Sequence, residues 1–225
     1  MTVTSTVEGI VEQIVDPSAS ERDNAVALHD YVREHVKFGF NDLFDAGDPE
    51  YTLAFGVGHC IPKTRLMAAV LRSAGYETHQ HFVVLPKDIL RGAIPAGRYW
   101  MIPREISHSY LEVQIEGVWR SVDTYIIDTP LLVGAQERLA AEGRRLGYGV
   151  RVDSVNEWDG STDAFSQFDP DMMIEDHGRI EDIDAFFADR RYRNRVLGVS
   201  FNTMFKLMGR RGVAPINAAI DDIRR

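Results

Sequence analysis

Gly56-Val57-Gly58-His59-Cys60-Ile61-Pro62-Lys63-Thr64-Arg65-Leu66-Met67-Ala68-Ala69-Val70-Leu71-Arg72-Ser73-Ala74-Gly75 is the stretch on which the fold turns. From Thr64 to Ala74 apolar residues recur at helical spacing. Pro62 suits the first turn of a helix, and Gly75 suits the position just past its end. Cys60, the single cysteine in 225 residues, is thereby placed at or just before a helix N-terminus. The partial positive charge of that helix end, with Lys63 and Arg65 close in sequence, favours thiolate over thiol. Glycines at 56 and 58 let the backbone turn sharply and leave room beside the sulfur. Free cysteines are often inert buried hydrophobes; the helix start and the glycine approach favour a nucleophile here.

Two helices are expected upstream. Residues 6–15 form a short amphipathic one. Ser20 caps a second that runs through Lys37, with Ala25, Leu28, Val32 and Val36 near helical spacing. An Asp- and Gly-rich loop, residues 41–50, precedes the cysteine helix. Downstream, residues 78–85 read as a strand, residues 86–103 as a loop, and residues 107–115 and 118–127 as two alternating strands.

Glu116-Gly117 is a two-residue hairpin turn between those last strands. It pairs Ile115 with Val118 and, counting back, Tyr110 with Asp123. Leu111, Val113, Ile115, Val118 and Val122 then share an apolar face. His108, Tyr110, Glu112, Trp119, Ser121 and Asp123 share the other. His108 and Asp123 become diagonal neighbours, separated by roughly 7–8 Å, within reach of a carboxylate and an imidazole extended towards each other. Asp123 can then hold the His108 tautomer while the other ring nitrogen meets a thiol. A three-residue turn would reverse the parity. Glu112 and Asp128 are alternative orienters of His108.

The cysteine stretch, with its Gly58-His59-Cys60 start and Leu71-Arg72-Ser73-Ala74-Gly75 close, resembles the cysteine helix of the transglutaminase-like superfamily. Ser107-His108-Ser109-Tyr110-Leu111-Glu112-Val113 resembles that family's histidine strand, and Gly117-Val118-Trp119-Arg120-Ser121-Val122-Asp123 its Gly-x-Trp-x-x-x-Asp segment. Tyr31-Val32-Arg33 through Phe40, and Tyr51-Thr52-Leu53, resemble its lead-in. The resemblance spans about residues 25–128. It implies an α+β, papain-like core in which the cysteine-bearing helix packs on an antiparallel sheet. It also implies a Cys60–His108–Asp123 triad that performs acyl transfer through a Cys60 thioester. His59 before the nucleophile, and Ser109-Tyr110 in place of Ala-Trp, depart from the family pattern. Expected substrate contacts are Tyr51, His59, His81 and Tyr110. The Cys60 backbone N–H is a natural oxyanion donor; the sequence does not assign a second, for which Tyr51 and Asn41 are the upstream candidates.

At 44% hydrophobic and 26% charged, the composition is that of an ordinary globular protein. One cysteine excludes an internal disulfide framework and a cysteine-rich zinc site. No basic, apolar leader pattern opens the chain and no run of 18 apolar residues occurs, so a cytoplasmic protein that does not enter a membrane is expected. His79 and His81 alternate on a strand but lack a third convincing ligand, so no metal or cofactor is expected. Residues 156–163 do not follow the helix-loop-helix calcium pattern.

The chain divides into a core at residues 1–128 and a mainly helical extension at residues 129–225 packed on it. Helical spacing is seen at 131–146, 180–187 and 193–208. The net charge of −9 is uneven: residues 190–225 carry nine Lys/Arg against two Asp/Glu, a net +7, which leaves −16 elsewhere. Such a tail suits packing on the acidic body, or an acidic protein partner ahead of nucleic acid. The extension is either a lid that shapes an acyl pocket or a homodimer surface. Small-molecule, peptide or carrier-bound acyl groups are the expected substrates. The competing function is a catalytically silent binding or scaffold module with an inert Cys60.

Overall fold

The computed structural model describes residues 6–225; the leader-free reading of residues 1–5 lies outside the described residues. Helix α1 (Val7–Ile14) is capped by Thr6, whose hydroxyl accepts from Gly9 N–H at 3.1 Å. Helix α2 (Glu21–His35) is capped by Ser20 through Asp23 N–H at 3.0 Å. Both follow the sequence pattern, because each cap satisfies an amide that the helix leaves free. The short strand β1 (Lys37–Phe38) pairs in parallel with β2 (Val57–Gly58), which ties the end of α2 to the approach to Cys60. Between them lies α3 (Pro49–Phe55), within and beyond the expected loop. Asp48 caps it, Pro49 opens it, and Gly56 ends it at φ 80°, a conformation that favours glycine.

Helix α4 (Cys60–Ser73) is the centre of the core. Ile61, Leu66, Val70 and Leu71 are fully buried, each contributing roughly 1.5–3 kcal/mol of burial free energy. The main sheet is antiparallel, in the order β5-β4-β3-β8, built from β3 (Thr78–Pro86), β4 (Glu105–Ile115), β5 (Val118–Val122) and β8 (Glu175–Arg179). Between β3 and β4 the chain makes one helical turn, α5 (Ala96–Tyr99). The β4–β5 register has Ile115 opposite Val118 and Leu111 opposite Val122. Glu116 and Gly117, at φ 51° and 78°, are the two turn residues. The fold is thus α+β, with the cysteine helix packed on an antiparallel sheet.

Strand β5 stops at Val122 rather than Ile127. Asp123 N–H leaves the ladder for Ala164 O at 3.0 Å, and Ile126 N–H turns back to Asp123 O at 2.9 Å. After β5 come α6 (Thr129–Ala141) and a small hairpin of β6 (Leu146–Gly147) with β7 (Val150–Arg151). Beyond β8 lie α7 (Ile183–Phe186), a second hairpin of β9 (Arg195–Val196) with β10 (Val199–Ser200), and α8 (Phe201–Ile223). The extension therefore supplies a strand to the main sheet, and residues 193–200 are not helical. The Asn194 side chain clamps this segment to β4, accepting from Ser107 N–H at 3.0 Å and donating to Ser107 O at 3.1 Å. Ser200 then caps α8, which kinks at Gly209 (φ 61°).

Much of the basic tail is used internally. Arg224 grips Asp128 and Phe38 O, Arg193 meets Glu175, and Arg195 donates to Phe187 O. Among the described residues no helix is long and apolar enough to cross a membrane.

Candidate active site

Cys60 is the first residue of α4 and His59 is its N-cap residue. The His59 ring does not cap the helix. Its Nε2 lies 2.7 Å from Asp45 Oδ1. Asp45 Oδ2 accepts from Tyr192 OH at 2.5 Å and Asn194 Nδ2 at 2.8 Å. A fully buried carboxylate with three such partners is well compensated for lost hydration.

His59, Cys60, Ser107, His108, Gln167 and Asn194 form the polar part of the wall of a cavity of about 130 Å³. The rest of the wall is apolar apart from Arg98. Phe40 and Phe44 come from the segment before α3, Ile89 and Ile102 from the β3–β4 connection, and Phe201, Met204 and Phe205 from α8. Helix, sheet and extension thus meet at the sulfur. Three buried atoms on this wall have no hydrogen-bond partner among the described residues: His59 Nδ1, His108 Nε2 and Gln167 Oε1.

The site is buried, and its protonation follows from that. Burial pushes the Cys60 thiol well above its ordinary range, and the Asp45 carboxylate adds to the effect. The amides of Ser109 and Ile61 favour the anion but do not reverse the balance. Full burial can move a pKa by up to about 3–5 units at ~1.36 kcal/mol each, whereas a helix end contributes at most about 2 kcal/mol. Burial wins. Burial likewise lowers His108 to about 3, with help from His59. The resting pair is therefore a thiol beside a neutral imidazole, not the thiolate expected from the helix end. Lys63 and Arg65 do not alter this. Lys63 is itself buried and lowered to about 7 by desolvation, and Arg65 pairs with Asp184.

Asp123 is fully buried, and burial raises it to about 7. Its Oδ1 accepts from Ser166 N–H at 2.6 Å and Ser166 Oγ at 3.1 Å; Oδ2 accepts only a longer bond from Gln167 N–H, at 3.3 Å. No bond joins it to His108, although Oδ2 retains acceptor capacity. The alternative orienters are engaged elsewhere. Glu112 meets His81 and Arg179, while Asp128 meets Arg224 and caps α6.

Of the expected substrate contacts, only His59 lines the cavity. The Tyr51 hydroxyl donates to Asp42 and Tyr51 does not line the cavity, so it is not placed as an oxyanion donor at the sulfur. Asn41 is buried in its own loop, with its oxygen on Leu43 N–H. His81 is held by Glu112 and Asp176 at 2.6 Å each and stacks on Tyr110. Tyr110 in turn packs on Phe165 and Phe168. His79 packs at a tilt against Trp119 and its Nδ1 lies 3.2 Å from Glu181 Oε1. Among the described residues no cluster of three or more His, Cys, Asp or Glu is arranged to hold a metal. Sequence reasoning missed Asp45, Gln167, Asn194 and the α8 side chains. Asp45, Gln167 and Asn194 sit in no periodic or motif-like pattern; the α8 side chains are periodic, but only long-range packing brings them to the site.

A family model described as the transglutaminase-like superfamily matches residues 8–124, just over half of the chain. The chain belongs to that superfamily, whose members are in general cysteine-dependent enzymes. No curated protein and no solved structure gives a significant match. The match ends next to Asp123, so the extension that closes the cavity lies outside it.

Proposed function

We propose that this protein is a cysteine acyltransferase or hydrolase, with Cys60 as nucleophile, His108 as acid and base, and Asp123 as the residue that positions His108. The observation that carries this reading is that Cys60, at a helix start, and His108 line one cavity. Because thiol and imidazole both begin neutral, the Sγ proton moves to His108 as the Sγ–carbon bond forms. The carbonyl electron pair moves to oxygen, where the Cys60 N–H, without an intrahelical acceptor, can receive it. Collapse expels an amine, alcohol or thiol, which takes the proton from His108. Water or an amine then attacks the thioester and gives a proton to His108, which returns it to Sγ as the carbon–sulfur bond breaks and the acyl product departs. His108 Nε2 has no partner among the described residues and Asp123 Oδ2 has spare acceptor capacity, so a bond between them is the positioning contact this reading calls for.

Incubation with phenyl thioacetate, followed by intact mass, tests this. An acetyl adduct is expected on the wild type, absent in Cys60→Ala and formed about 100-fold or more slowly in His108→Gln. A wild type without adduct, and without turnover of thioesters, esters or amides, would instead support a silent binding module. The buried neutral thiol and the engagement of Asp123 by Ser166 favour that second reading.

A further inference from the structure

We propose that the Cys60 cavity is the pocket for a short apolar acyl group of about four to six carbons, or a phenyl ring, with its outer wall supplied by α8. This rests on the acyl-transfer reading of the same site. The volume of about 130 Å³ is slightly below that of a cavity of about 150 Å³ known to hold benzene, which matches an acyl group of about that size. Phe40, Ile89, Ile102, Phe201, Met204 and Phe205 surround that space. Met204 is a flexible thioether that adapts to differently shaped chains.

The polar wall groups are mostly already used. Asn194 is spent on Asp45 and Ser107, the Ser107 hydroxyl accepts from Arg193 N–H at 2.8 Å, and Gln167 Nε2 donates to Gly149 O at 2.9 Å. A carboxamide-bearing acyl group such as glutaminyl would find only the unpaired Gln167 Oε1 and His59 Nδ1 for its amide on an otherwise apolar wall, a poorer match than a methylene. A methylene meets the opposite balance, and each one buried should raise kcat/KM about three- to fourfold until the space is full. Since α8 lies outside the family-matched residues 8–124, chain-length selection would belong to the extension rather than the shared core.

The test uses N-acetylcysteamine thioesters from acetyl to decanoyl, with phenylacetyl and glutaminyl members, read as kcat/KM and as acyl-enzyme mass. In parallel, ligand-detected NMR follows butanamide, hexanamide, decanamide and glutamine amide binding to Cys60→Ala, which needs no chemistry. The expected result is an optimum at four to six carbons, a glutaminyl rate at least tenfold lower, and the same order in amide binding. Met204→Trp should lower the hexanoyl-to-acetyl ratio at least tenfold; Met204→Phe serves if the first variant does not fold. A flat series, or a glutaminyl preference, with normal acyl-enzyme formation would overturn the pocket assignment and leave the acyl-transfer reading standing. Ordered amide binding without any acyl-enzyme would support the pocket and sink the acyl-transfer reading. Loss of both would overturn both.

Discussion

His81 and His108 stand on one face of one sheet and have opposite fates. The β3–β4 register sets His81 opposite Tyr110 and Val83 opposite His108, so the two imidazoles are diagonal neighbours. Around His81 burial opposes the charge, but Glu112 and Asp176 outweigh it and hold the ring above its ordinary pKa. Around His108 there is no such carboxylate bond; Phe168 packs edge-on against the ring, and burial lowers it to about 3. A paired histidine becomes a cationic strut between strands, and an unpaired one becomes a neutral base. The residue type and strand position are shared, so the difference is made entirely by what packs nearby.

The largest expected contrast is in acylation. His108→Gln should slow it by about 10²–10⁴-fold, while His81→Gln should leave it within about threefold; equal losses would erase the distinction. Imidazole nitrogen NMR at pH 6.5 reads the same contrast directly, with His81 protonated on both nitrogens and His108 neutral. The second effect concerns Lys63, another buried base, whose Nζ has no hydrogen-bond partner among the described residues. Its native pKa, lowered to about 7 by burial, lies below the unfolded value of about 10.4. The penalty on folding is therefore complete below pH 7 and shrinks as pH rises towards 10.4. Lys63→Met should stabilise the fold by about 1–4 kcal/mol at pH 6, with a smaller gain at pH 9, as measured by urea denaturation. The smallest effect is on His81 itself. Its raised native pKa gives stability that is complete below about pH 6.5 and lost as pH climbs through the native value. His81→Gln should cost about 1 kcal/mol at pH 6 and almost nothing at pH 9; a pH-independent cost would mean that packing on Tyr110, not charge, holds His81.

Local signals were legible where a short-range rule governs. Ser20 caps a helix because an amide three residues on needs an acceptor. Glu116-Gly117 sets the hairpin parity because a two-residue turn requires positive φ. Residues 193–200 were misread as helix because their apolar periodicity is real, but Asn194 ties them to Ser107, and tertiary bonds override a weak propensity. Strand β8 was missed because Glu175–Arg179 is a polar edge strand with no alternating apolar pattern.

By itself, the sequence determined that Cys60 opens a helix, that a two-residue turn sets the register of the hairpin carrying His108 and ending just before Asp123, and that these lie in a transglutaminase-like order. These depend on backbone geometry between near neighbours, which spacing encodes. Only the tertiary structure decided that the site is buried, that Asp45 holds His59, that Ser166 and Gln167 hold Asp123, and that α8 walls an apolar cavity beside the sulfur. Protonation and pocket chemistry depend on which distant groups exclude water, and that is a property of packing in three dimensions.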